Sequence, residues 1–129
     1  MKRVAVMVSC LLGMSGCMTG VENVQVAPLG NRLPHGLSQV QAEGSITAGL
    51  LKKRWIAVDV VNSTIVAQSQ KHDGELIVKF SPQDYLIDVI NPWSGVSAMQ
   101  DEMLDIDYYI QRYAYKAAIE SAKMKMRGE

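Results

Sequence analysis

The sequence is poor in cysteine and histidine, and this limits the chemistry that it can support. Its 129 residues include two cysteines and two histidines. A zinc site needs three or four converging ligands, and the two histidines, His35 and His72, are far apart in the chain. The acidic residues in the range 101–107 do not follow the spacing of a calcium-binding loop. The sequence therefore predicts no metal site and no cofactor.

The chain also lacks a long hydrophobic run and an excess of positive charge. No apolar segment reaches the roughly 20 residues that a helix needs to span a bilayer. Thirteen basic residues are balanced by thirteen acidic ones, so a basic surface for nucleic acid is not expected. With 48% apolar and 20% charged residues, the composition is that of one small globular domain.

Catalytic motifs are missing as well. No nucleophile elbow or glycine-rich oxyanion loop surrounds Ser94, and His72 adjoins Asp73–Gly74, a turn dipeptide that favours a packing role for its ring. We therefore predict no catalytic site. The alternative is a small periplasmic hydrolase or ligand-binding protein that uses His72 and Ser94 near Trp93.

The start of the chain has the three parts of a secretory signal. Lys2 and Arg3 form a positive region, "VAVMVSCLLGM" is an apolar region, and "SGC" supplies small residues at a cleavage point. Residues 14–17, "MSGC", resemble the lipobox of bacterial lipoproteins, in which the cysteine thiol is lipidated and the chain is cut just before it. The resemblance implies a signal peptide over residues 1–16, which is removed, and fatty acyl groups such as palmitate on Cys17.

Two other interpretations of this segment are an ordinary signal peptide with an incidental cysteine and a buried apolar helix. Cysteine usage favours lipidation, because Cys10 would be removed with the signal and would leave Cys17 without a disulfide partner. The following residue is Met18, not the aspartate that retains many enteric lipoproteins at the inner membrane. The resemblance thus implies a lipid-anchored protein at the periplasmic face of the outer membrane.

Residues 17–36 contain Pro28 and Pro34 without a sustained period, which predicts a flexible tether. Residues 37–129 are predicted to form one domain. Its first helix is indicated by Ser38 and Gln41 at capping-box spacing, and its glycines, Gly44 and Gly49, are predicted to allow close approach to a sheet.

The middle of the domain has the period of β-strands. "WIAVDVV" is predicted to place Ile56, Val58 and Val60 on one face, and a turn at Asn62–Ser63 separates it from "TIVAQS". "ELIVKF" and "YLIDVI" also alternate, and the loops are too short for parallel crossovers. A helical pattern begins at Met103, with acidic residues crowding its N-terminal end. These elements predict an α+β fold of order α-β-β-β-(β)-α, in which two helices pack on one face of a three- to four-stranded antiparallel meander.

Several of these segments together resemble a family of small bacterial lipoproteins of uncharacterised function. The similar pieces are "ITAGLLKKRW", "STIVAQ", "KHDGELIVKF", "YLIDVINPWS" and "YYIQRY". The positions that match the family pattern are Arg54, Trp55, Ala67, His72, Tyr85, Ser94 and Tyr113. The resemblance implies the same fold and an envelope location, and it implies no activity.

The last helix carries tyrosines on two faces. Tyr109 and Tyr113 share the spacing of Ile106 and Ile110 and are predicted to be core, whereas Tyr108 and Tyr115 are seven residues apart on another face. That second face is predicted either to bind an envelope protein or to lie between the sheet and the tether. Trp93 is likewise either a plug at the core edge or an anchor for a partner. We therefore predict a structural or protein-interaction component of the cell envelope.

Overall fold

A computed structural model describes residues 26–128 as an antiparallel sheet with two helices. In chain order the elements are β1 (Leu29–Arg32), α1 (Gln39–Lys52), β2 (Trp55–Val61), β3 (Thr64–Ser69), β4 (Glu75–Phe80), β5 (Asp84–Asn91) and α2 (Val96–Met126). The strands lie in the order β1-β5-β4-β3-β2, and every neighbouring pair is antiparallel. The predicted α+β class and the meander are confirmed, but the sheet has five strands, not three to four.

The additional strand, β1, lies in the range for which the sequence predicts a tether. It pairs with β5 from Leu29 opposite Ile87 to Arg32 opposite Asp84. Just after it, Leu33 is buried and its N–H donates to the carbonyl of Gln83 at 2.8 Å. Strand β1 begins directly after Pro28, which is where a residue without a backbone donor is tolerated. The ordered domain therefore begins before residue 37.

The capping box at the start of α1 is confirmed. The N–H of Gln41 donates to Ser38 Oγ at 3.1 Å, and the N–H of Ser38 donates to Gln41 Oε1 at 2.9 Å. The helix then packs against α2, and Gly49 allows this approach, because a Cβ there would lie 2.7 Å from the backbone nitrogen of Ile110. The close approach that the sequence predicts at Gly49 is thus made to a helix and not to the sheet.

The β2–β3 hairpin turns at Asn62 and Ser63, as predicted. Both residues have positive φ, 47° and 66°. A type I′ hairpin turn, whose twist matches that of the flanking strands, requires positive φ at both central residues. The predicted alternation of β2 is wrong, because the register shifts between Ala57 and Asp59. Ile56 pairs with exposed Gln68 whereas Val60 pairs with buried Ile65, so the bulge at Val58 moves these residues to opposite faces.

Strands β4 and β5 alternate as predicted and supply one side of the core. The buried sheet residues are Trp55, Ile65, Ala67, Leu76, Val78, Phe80, Tyr85 and Ile87. They share one cluster with Ala42, Ile46 and Leu50 of α1 and with Met103, Ile106, Ile110 and Ala114 of α2. The core thus lies between the sheet and the paired helices.

Helix α2 begins at Val96, seven residues before the predicted start at Met103. Its first turn contains no acidic residue. The acidic residues that the sequence predicts at the N-terminal end lie in the second and third turns instead. The basic residues Lys123 and Lys125 do occupy the last turn, where they oppose the negative end of the helix dipole. Within residues 26–128, neither helix combines the length and the apolar character needed to cross a membrane.

Candidate functional site

Three aromatic rings gather where the loop after β5 crosses the end of the sheet. The rings of His72 and Trp93 are stacked, with centroids 4.8 Å apart and planes inclined by 5°. Trp55 meets both of them edge-on, at 5.3 Å from His72 and 5.0 Å from Trp93. Trp55 is fully buried, and the other two rings are half-buried. We call these three residues the Trp–His cluster.

The Trp–His cluster depends on a glycine. A Cβ at Gly74 would lie 2.4 Å from Trp93 Cε3 and 2.8 Å from His72 Cε1, so no larger residue fits without displacing a ring. The N–H of Gly74 also donates to His72 Nδ1 at 3.0 Å. This hydrogen bond makes Nδ1 an acceptor and fixes the ring over the turn.

One carboxylate joins the Trp–His cluster to α2. Glu102 Oε2 accepts a hydrogen bond from Trp55 Nε1 at 2.8 Å and lies 3.7 Å from Lys71 Nζ. His72 Nε2 is buried, lies 3.5 Å from Glu102 Oε1 and makes no hydrogen bond. The arrangement fastens the 71–74 turn and the sheet to the last helix.

Ser94 follows Trp93 in the chain, is exposed and makes no hydrogen bond to His72. The cleft beside His72 has a volume of about 260 Å³ and is lined by Gln68, Ser69, His72, Asp73, Gly74, Glu75 and Asn91. Ser94 is not among these residues. Within residues 26–128, no three His, Cys, Asp or Glu side chains form a group that would hold a metal ion.

A second polar group fastens β1 and β5 to α2. The hydroxyl of Tyr85 donates to Asp107, and Asn31 Nδ2 donates to the same carboxylate at 3.0 Å. Gln111 Nε2 donates to the Tyr85 hydroxyl at 2.9 Å and to the carbonyl of Arg32 at 2.7 Å. Burial, reinforced by the Asp107 carboxylate, raises the pKa of Tyr85 far above its ordinary value. Tyr85 is therefore a neutral structural donor.

Helix α2 presents a second apolar stripe on the side opposite to the core. At 100° per residue, its members fall within about 60° of one another and roughly 150° from the buried stripe. They are exposed side chains, namely Leu104 (53%), Tyr108 (56%), Tyr115 (55%), Ile119 (53%) and Met126 (87%). We call these five residues the outer tyrosine face.

Tyr108, one of the two tyrosines of this face, contacts an aromatic ring and a cation of the same helix. The Tyr108 ring lies edge-on to Tyr109, with centroids 5.2 Å apart, and the guanidinium of Arg112 lies 5.8 Å from its centre. Tyr109 in turn receives Lys52 Nζ from α1 at 5.7 Å from its ring centre. Tyr109 and Tyr113, predicted to be core, are both half-buried. Tyr108 and Tyr115 retain more than half of their surface in water.

Two of the remaining residues singled out from the sequence, Arg54 and Ala67, lie in the described part of the chain. Arg54 is exposed and has a φ of 67°, where it follows the end of α1, and Ala67 is buried in β3. Cys17 lies outside the described residues. The contact between Glu102 and Trp55 is not predictable from the sequence, because 47 residues separate the two and no local pattern links them.

No family model, curated protein or solved structure matches this chain.

Proposed function

We propose that this chain is a lipid-anchored protein of the bacterial cell envelope that has no catalytic activity and binds a protein partner through the outer tyrosine face. The observation that carries this proposal is the exposure of Tyr108 and Tyr115 beside Leu104 and Ile119 on one side of α2. An isolated exposed apolar residue is ordinary, whereas several exposed apolar side chains on one side of a helix in a small domain are typical of an interaction site.

The composition of the stripe supports a protein partner. Tyrosine is enriched at interfaces because it supplies a large contact area and a polar tip at a low cost in side-chain entropy. The core does not need these side chains, since Met103, Ile106, Ile110 and Ala114 already fill the side of α2 that faces the sheet and α1. Full burial of the stripe by a partner would remove more than half of the surface of each of its residues from water.

The other surfaces offer less for a partner. The ring of Trp93 is occupied by its stack on His72. Strand β1 has four residues, and β2 carries a bulge and the charge of Asp59, features that limit pairing with a further strand. We therefore place the partner site on α2 and not at the Trp93 loop or a sheet edge.

The anchor in this proposal is Cys17, on the resemblance of "MSGC" to a lipobox. Several acyl chains on one residue would hold the chain at a membrane far more firmly than a single chain, since each buried methylene contributes about 0.8 kcal/mol. The periplasmic leaflet of the outer membrane is proposed as the location because Met18, and not aspartate, follows the cysteine. The family of small lipoproteins named above is proposed on the same basis.

Photocrosslinking in intact cells tests the partner site. A photoreactive amino acid at Tyr108 is compared with one at Leu86, which is 40% exposed and lies on the sheet face that points away from the helices. We expect a discrete product of higher mass from position 108 and not from position 86. Identical product patterns from the two positions would remove the outer tyrosine face as the partner site.

A further inference from the structure

We propose that the partner on the outer tyrosine face is a second copy of this chain, bound through α2 in antiparallel orientation. This inference rests on the proposed function, because it assumes that the face is a binding surface. It adds the identity of the partner and the register of the contact.

The spacing of the outer tyrosine face suits a long contact between straight helices. Leu104, Tyr115 and Met126 are eleven residues apart, and so are Tyr108 and Ile119. An eleven-residue repeat corresponds to about 3.67 residues per turn, close to the 3.6 of a straight α-helix, so the stripe drifts little around the axis. In an antiparallel pair centred between residues 111 and 112, Tyr108 lies opposite Tyr115 of the second copy, and Leu104 lies opposite Ile119.

The charges beside the stripe are divided between the two halves of α2. On one flank the first half carries Asp101 and Asp105 and the second half carries Arg112, Lys116 and Lys123. In a two-fold antiparallel pair, this flank of one helix meets the same flank of the other. The register above brings Asp101 toward Lys123 of the second copy and Asp105 toward Lys116, and each pairing occurs twice by symmetry.

The charged side chains of this flank are exposed, as such a contact requires. Asp101 and Lys123 are exposed and form no ion pair within residues 26–128. Asp105 lies 3.3 Å from Lys53 Nζ, yet its side chain is still 60% exposed. A membrane surface is the other apolar surface that an anchored protein could bind. An anionic membrane attracts helices whose polar flanks are basic throughout, and the acidic first half of α2 disfavours that contact.

The antiparallel pair is compatible with two anchors in one leaflet. Residues 27–29 lie beside Gln100 and Leu104, where together they line a groove of about 240 Å³. In the register above, the two copies of Leu104 are about 22 Å apart along the helix axis, the rise of 15 residues. The ten residue steps from Cys17 to Ala27 span up to about 33 Å. Both proposed lipids can therefore reach the same membrane.

Charge reversal tests both the partner and the register. The purified full chain in mild detergent is studied by sedimentation equilibrium as the wild type, Asp101→Lys, Lys123→Asp and the double variant. Each single reversal is expected to raise the dimer Kd about tenfold, because it creates two repulsive pairs. The double variant is expected to return to within about threefold of the wild type.

Thermal unfolding of the same four proteins separates dimerisation from helix stability. Lys123→Asp opposes the helix dipole in the last turn. A loss of helix stability caused by either reversal would persist in the double variant, whereas dimerisation is expected to recover. A wild-type chain that stays monomeric, or a dimer that does not recover in the double variant, would overturn this inference. If position 108 nevertheless crosslinks a different protein in cells, the proposed function stands while the second copy is excluded.

Discussion

The contact between α1 and α2 at Gly49 allows a prediction about the stability of a glycine-to-alanine variant, and Gly44 provides an internal control. Gly49 and Gly44 lie in the same helix, and alanine at either position gains about 1 kcal/mol in helix propensity. At Gly44 an added Cβ meets nothing within 4 Å. At Gly49 it would lie 2.7 Å from the nitrogen and 2.9 Å from the Cα of Ile110. These are backbone atoms of a helix, so they cannot rotate away.

To reach ordinary contact distances of about 3.5–4.0 Å, the two helices would have to separate by roughly 1 Å at Gly49→Ala. The separation loosens the packing between the buried residues of α1 and α2, which share one core cluster, and overpacking of this kind costs about 1–3 kcal/mol. The propensity gain offsets part of that cost. We expect Gly49→Ala to lower the free energy of unfolding by about 1–2 kcal/mol, whereas Gly44→Ala raises it by about 1 kcal/mol.

Urea denaturation of the two variants, followed by circular dichroism, measures both changes. Thermal unfolding provides a second readout, since 1 kcal/mol corresponds to a shift of about 4–8 °C in Tm for a domain of this size. Equal stabilisation by the two substitutions would refute the description of the α1–α2 contact. That result would not contradict the description of the sheet and its register.

Three further predictions address other parts of the molecule. Gly74→Ala is expected to displace Trp93, to shift tryptophan fluorescence to longer wavelength and to cost about 1–3 kcal/mol; an unchanged spectrum would count against the ring stack. Tyr85→Phe is expected to cost about 1 kcal/mol at pH 7, because it removes the hydrogen bond to Asp107. Since the folded state raises the pKa of Tyr85 above its ordinary value of 10.0, the wild type loses this advantage as the pH rises above about 10, and urea unfolding at several pH values should show the gap closing. Cys17→Ser is expected to abolish incorporation of radiolabelled fatty acid, and continued labelling would reject the proposed anchor.

The elements that the sequence predicts well are those set by local chemistry. The Ser38–Gln41 capping box and the Asn62–Ser63 turn each depend on residues a few positions apart, and the structure contains both. Strand β1 was not separable from a tether, because it has four residues and gains its place only by pairing with β5, more than fifty residues later. The bulge at Val58 likewise leaves no mark in the composition of β2.

The candidate site was predictable in part. The spacing of Tyr108 and Tyr115 is enough to assign them to a face distinct from that of Ile106 and Ile110, and the exposure of the tyrosines agrees with it. The stack of His72 on Trp93 was not predictable, because it requires a turn and a loop from different strands to meet over Gly74. The sequence offered plug and anchor as equal alternatives for Trp93, and its contacts are those of a plug.

Crosslinking from Tyr108 in intact cells shows whether a partner binds the outer tyrosine face. We expect a discrete product of higher mass that is absent when the photoreactive group is at Leu86, on the opposite side of the domain. The absence of any product at position 108, or the same products from both positions, would contradict it.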